Sequence, residues 1–95
     1  MKAPLEAEYG QRLRGLVLFG SEVRGDADRD SDIDVLVLLA GPVELGRELT
    51  RCVHVLYPLV LELGRPIDVI PVDSEAYEAG ECPLYRSAKA EGIAA

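Results

Sequence analysis

The sequence predicts an α+β domain, a small mixed sheet of three or more strands backed by helices, and three observations carry that prediction. Leu16-Val17-Leu18-Phe19 is a short, fully apolar run that ends at Gly20-Ser21, as a buried strand entering a tight turn does. Asp32 to Leu39 is a second apolar run, closed by Gly41-Pro42, and Ile67 to Val72 (IDVIPV) is a third. Between the second and third runs, apolar residues recur at steps of three and four, the period of a helix. Strands separated by a helix stack into a layered fold with one core.

Taken in order, Pro4 suits a first helical turn, and Leu5, Tyr9 and Leu13 then recur every fourth residue until Gly15 supplies a stop. This first helix is weakened by Gly10. The two strands follow. From Pro42, the residues Leu45, Leu49, Cys52, Leu56, Leu59 or Val60, and Leu63 outline an amphipathic helix that ends at Gly64. Pro58 is expected to kink it, because the ring removes a hydrogen bond and crowds the carbonyl of His54. After the third strand, 74–79 and 83–91 read as short terminal helices. Repeats, low-complexity stretches and linkers are absent, so residues 1–95 are expected to form a single domain.

Composition narrows the function. Hydrophobic content of 48% places the chain with globular proteins. No apolar run approaches the ~18 residues of a membrane span and MKAPLEAEYG has no apolar signal core, so a cytoplasmic protein is expected. Cys52 and Cys82 fit neither a redox nor a zinc spacing and read as buried reduced thiols. His54 is the only histidine, which leaves little for a histidine-based metal site or a Ser/His/Asp triad. The net charge of −7, with six acids between Glu22 and Asp34, argues against direct nucleic-acid binding, whose affinity comes from basic surface. A ligand carried with cations, or a protein partner, suits it better.

The acids concentrate in DADRDSDID, residues 26–34, with aspartate at every second position. No register of this run meets the glycine and glutamate positions of an EF-hand. Asp26, Asp28 and Asp30 lie among Gly25, Arg29 and Ser31 and read as a solvated loop. Asp32 and Asp34 differ, because they flank Ile33 at the opening of a buried strand. Period-two geometry sends both to one face, about 7 Å apart. Asp68 has the same setting on the third strand. If those strands are neighbours, the three carboxylates converge on an all-oxygen site suited to Mg²⁺ or Mn²⁺ rather than zinc. Gly20-Ser21 supplies a complementary turn, where backbone N–H groups and a hydroxyl can receive phosphate.

GSEVRGDADRDSDID, with Gly-Ser, ten intervening residues, Asp-x-Asp and a later strand acid in IDVIPV, resembles the nucleotidyltransferase superfamily that includes DNA polymerase β. It is most similar to the minimal nucleotidyltransferases (MNT), by motif over residues 15–72 and by element order elsewhere. The resemblance implies that Gly20 and Ser21 hold a nucleoside triphosphate, that Asp32 and Asp34 bind two divalent ions, and that Asp68 ligates the ion at the attacking hydroxyl and helps to deprotonate it. Arg24 either neutralises phosphate charge, as the arginine common in this motif does, or pairs with a loop aspartate. Val23 stands where many relatives carry alanine.

Minimal nucleotidyltransferases are typically paired with a small helical HEPN protein, and several act as antitoxins that transfer AMP from ATP to a tyrosine of that toxin. The leading expectation is therefore a protein adenylyltransferase antitoxin with Mg²⁺ as cofactor, ATP as donor and a HEPN-type partner. Two other readings stand beside it: a regulatory subunit that masks its partner by binding, with nucleotide as ligand only, and a small-molecule nucleotidyltransferase working as a homo-oligomer.

Overall fold

In a computed structural model, the structure describes residues 2–19 and 33–94. The elements run α1 (Lys2–Tyr9), a single 3₁₀ turn (Gly10–Arg12), β1 (Leu13–Phe19), β2 (Ile33–Leu39), α2 (Leu45–Leu63), β3 (Ile67–Asp73), α3 (Ser74–Ala79), α4 (Pro83–Glu91) and β4 (Ile93–Ala94). The sheet order is β3-β2-β1-β4. β2 runs antiparallel to β1 and parallel to β3, and β4 adds two residues antiparallel to β1, so the sheet is mixed.

β2 is buried on both sides, which is why it reads as an almost unbroken apolar run rather than an alternating one. Its odd-numbered residues Ile33, Val35, Val37 and Leu39 meet Leu5 and Tyr9 of α1 and Cys52 and Leu56 of α2. Its even-numbered residues Leu36 and Leu38 face the other way, onto Val17, Val72, Tyr77 of α3 and Ala88 of α4. Helices thus cover both faces. β3 is an edge strand, where Pro71 can be accommodated without costing a ladder hydrogen bond on the open side.

Several boundaries follow from single residues. The first helix stops at Tyr9 rather than running to Gly15: Gly10 sits at φ +58°, a left-handed conformation that ends the helix, and Leu13 becomes the first residue of β1. α2 ends where Gly64 takes φ +67° and its N–H donates to the Val60 carbonyl at 3.0 Å. α2 continues through Pro58, which lies on its exposed side. The Asp73 carboxylate caps α3 by accepting from the N–H groups of Glu75 (2.9 Å) and Ala76 (3.4 Å). β4 was not foreseen, and two residues carry too little pattern to announce a strand. Cys52 is buried as expected, whereas Cys82 is half-buried at the cap of α4; both are free thiols.

α2 also departs from its sequence reading. Cys52 and Leu56 do face the core, but Leu45, Leu49 and Leu63 are exposed, together with Val53, Tyr57 and Leu61. The helix is apolar around more of its circumference than the sheet covers. In their place, the fully buried Glu48 sits under α1, with Arg12 Nη1 2.8 Å from Oε2, Arg51 Nη1 3.7 Å from Oε1 and the Tyr9 hydroxyl donating to Oε1 at 3.4 Å. No described helix is long and apolar enough to cross a membrane.

Candidate functional site

The site is assembled by strand register. Asp34 lies directly beside Asp68 in the parallel pairing of β2 with β3, and directly opposite Phe19 in the antiparallel pairing of β2 with β1. Period-two alternation places Phe19, Asp34 and Asp68 in one row on the α3/α4 face, with Val17, Leu36 and Ile70 forming the next row inward. The two carboxylates therefore stand on neighbouring strands, at a spacing of about 4.8 Å, where each strand begins. A hydrogen bond from Ile33 N–H to the Pro66 carbonyl, 2.9 Å, ties the two strand starts together just before the acids.

The surroundings are graded. Asp34 is half-buried and Asp68 exposed, while Leu36 behind Asp34 is fully buried. Two like charges so close repel, and a cation between them relieves that repulsion. Two carboxylate groups form an all-oxygen donor set, which fits a hard divalent ion such as Mg²⁺ and not a thiolate- or imidazole-preferring metal. Among the described residues, no three His, Cys, Asp or Glu side chains cluster closely enough to hold a metal on their own. Gly20, Ser21, Arg24 and Asp32 lie outside the described residues, as do the loop acids Asp26, Asp28 and Asp30. Of the predicted site residues, the structure thus brings Asp34 and Asp68 together. β1 ends at Phe19, opposite Asp34, and β2 starts at Ile33.

Sequence reasoning did not single out Phe19 and Ile70 as neighbours of the acids. Phe19 was legible in principle, because it is the last apolar residue before Gly20, but its partner strand is set by tertiary pairing. His54 lies exposed on α2, on the opposite side of the sheet from the acids.

The fold and this row define an α+β domain with paired acids at the start of two adjacent parallel strands, beside the end of a third. The sequence profile of the nucleotidyltransferase domain matches residues 5–94, and the chain belongs to that family. A curated protein of Methanocaldococcus jannaschii, named as a candidate protein adenylyltransferase, is 37% identical over 71 residues, which is 75% of this chain. The match spans 64% of that relative's length. Among solved structures, a toxin–antitoxin crystallised with AMP-PNP superposes with a TM-score of 0.67 at 22% identity, over 98% of this chain and 68% of the other. A mutant of the toxin–antitoxin pair MntA–HpeT superposes with a TM-score of 0.66, also at 22% identity. At that identity these two matches speak for a shared fold.

Proposed function

We propose that this domain transfers a nucleoside monophosphate, AMP from ATP, to a hydroxyl group, and that the acceptor is a tyrosine of a small helical HEPN-type partner toxin. The observation that carries the reading is the register of Asp34 with Asp68, which sets two carboxylates side by side at the edge where the Gly20-Ser21 segment begins. The name of the archaeal relative supports protein as the acceptor class. The AMP-PNP complex and the MntA–HpeT pair, which share the fold, support an adenine nucleotide as donor and a toxin as partner.

In this reading, Asp32, Asp34 and Asp68 hold two Mg²⁺ or Mn²⁺ ions. Such ions, when bound, stabilise the negative charge on attacking and leaving oxygens during in-line displacement. Gly20 lets the triphosphate approach the backbone closely and Ser21 donates a hydroxyl to it. Arg24 offsets its charge. Asp68, the exposed member of the pair, accepts the proton of the acceptor hydroxyl. The acceptor oxygen forms a bond to the α-phosphorus, the bond from that phosphorus to the bridging oxygen breaks, and pyrophosphate departs. Phe19 and Ile70 make the inner wall apolar, which limits water as a competing acceptor.

The test incubates the chain with α-labelled ATP, Mg²⁺ and the protein encoded by the adjacent reading frame. Label on that protein, lost in Asp34→Asn and Asp68→Asn, is the expected result. Equal labelling by both variants would refute the site. Neutralisation of the partner that persists in both variants, with no label transferred, would establish masking instead.

A further inference from the structure

α2 carries a surface that the transfer chemistry does not use. Leu45, Leu49, Val53, Tyr57 and Leu61, each four residues from the next, are 39 to 64% exposed. They form one ridge about 24 Å long. The adjacent i+4 row, Gly46, Thr50, His54 and Pro58, lies beside it, and the two rows enclose an open groove of about 570 Å³ lined by Leu49, Thr50, Val53, His54, Tyr57 and Pro58. From Leu45 to Leu61 the two rows carry no Asp, Glu, Lys or Arg, although 28% of the chain is charged; Glu62 closes the second row at the last turn of the helix. The flank toward α1 is where the charges sit, with Arg51 held by Glu8 at 3.0 Å.

We infer that this face of α2 pairs with the same face of a second copy of the chain. Three observations favour a second copy. First, the face is self-complementary: an i+4 ridge beside an i+4 groove on one helix lets each copy's ridge enter the other's groove, crossing at about −50°. The ridge has its smallest member, Val53, at its centre, so a two-fold axis there permits close approach and sets Leu49 and Tyr57 of each copy around the crossing point. Second, the area suffices. Five half-exposed apolar side chains leave on the order of 500 Å² per copy, so facing ridges bury about 1,000 Å², and the flanking rows bring the total to the roughly 1,200 Å² at which specific interfaces begin. Third, a chain of net charge −7 repels its own copy wherever acids meet, and these two rows carry no charged residue before Glu62 at the end of the helix.

The pairing has a consequence for the acids. α2 packs on the Val35/Val37 face of the sheet, whereas Asp34 and Asp68 belong to the face covered by α3 and α4. Two copies joined through α2 leave both acid pairs outward and open, and they stay joined whether or not those acids transfer a nucleotide.

Light scattering on the size-exclusion peak of the full chain, from about 1 to 100 μM, decides the matter. The expected mass is twice 10.3 kDa for the wild type and 10.3 kDa for Val53→Arg and for Tyr57→Arg. Both sites are at least half exposed, so each variant should still fold, which circular dichroism checks. Leu84→Arg, on α4 at 37% exposure, should leave the doubled mass unchanged. A wild-type chain that stays at 10.3 kDa throughout overturns the inference, as does a doubled mass that survives Val53→Arg combined with Tyr57→Arg. So does a monomer that associates only with the adjacent-frame protein and loses it in Val53→Arg, which would give the face to a different partner.

Discussion

Glu48 has no exposed surface, yet it carries a carboxylate between α1 and α2, and replacing either side of its ion pair should give unequal results. Arg12 lies 2.8 Å from Oε2, which has no hydrogen bond of good geometry, so charge alone satisfies that oxygen. Arg12→Ala leaves a buried carboxylate with Arg51, 3.7 Å from the other oxygen, and the Tyr9 hydroxyl, 3.4 Å from it, and also removes the bonds from Arg12 to the carbonyls of Ala40 (3.3 Å) and Pro42 (3.4 Å). Breaking a buried pair from one side typically costs 3–5 kcal/mol, and the remaining arginine places this case near the lower limit, at about 3 kcal/mol. At about 4–8 °C per kcal/mol for a domain of this size, the melting temperature should fall by roughly 12–24 °C. Glu48→Met is the contrasting change. It fills a similar volume; Arg12 and Arg51, which it abandons, are 35% and 45% exposed and can reach water, and the buried Tyr9 hydroxyl keeps Cys52 Sγ at 3.4 Å. Its cost should stay within about 1 kcal/mol, because an apolar replacement of a buried ionic group is often neutral. Urea unfolding followed by circular dichroism gives both values. Equal losses in the two variants, or an Arg12→Ala loss below about 1 kcal/mol, would refute the asymmetry argued from exposure.

Mg-ATP at a hundredfold excess over its Kd should add ~2.7 kcal/mol to the unfolding free energy of the wild type, read as a rise in melting temperature, and little to Asp34→Asn. Label transfer should drop on the order of a hundredfold or more in Asp34→Asn, since even outer-shell partners of a metal cost 10–100-fold. Gly92→Ala should destabilise by about 2 kcal/mol in the same urea assay, because its Cβ would fall on the Ala88 carbonyl and Val17 Cγ1 and lie 3.0 Å from the Leu18 carbonyl. Burial pushes the Cys52 thiol above its ordinary value, so the native state keeps its proton where the unfolded chain has lost it. The stability this provides is complete below the thiol's unfolded value of about 8.5–9 and is lost as pH rises from there toward the folded value. Urea midpoints at pH 7, 9 and 10 should therefore decline, and Cys52→Ala should flatten the decline between 7 and 9.

What the sequence made legible was local. Gly64 marked the end of α2, Pro83 the start of α4 and the apolar runs the three main strands, because each is decided within a few residues. The end of α1 was misjudged because Leu13 fits both a helical period and a strand, and only the left-handed Gly10 separates them. The pairing of Asp34 with Asp68 followed from two similar settings on apolar strands, given a guess that the strands are neighbours. The exposed ridge of α2 was hidden for the opposite reason. Leu45 and Leu49 fit the buried stripe by period, and which side of a broadly apolar helix meets the sheet is settled by packing, with Glu48, Cys52 and Leu56 taking that side.

The precision of the acid pair rests on residues remote from it. A one-residue slip of β3 against β2 would turn Asp68 to the α1/α2 face and leave Asp34 beside an apolar neighbour. The register is held because Ile33, Val35 and Val37 of β2 and Ile67 and Val69 of β3 share one core with Cys52 and Leu56. α2 is the crossover between these two parallel strands, so its packing sets how far β3 slides along β2. The antiparallel pairing of β1 with β2 then brings Phe19 opposite Asp34. A parallel pair alone would align two acids without the end of β1 beside them, and an antiparallel hairpin alone would lack the acid of β3. The mixed sheet is therefore what sets Phe19, Asp34 and Asp68, up to 49 positions apart in the chain, in one row.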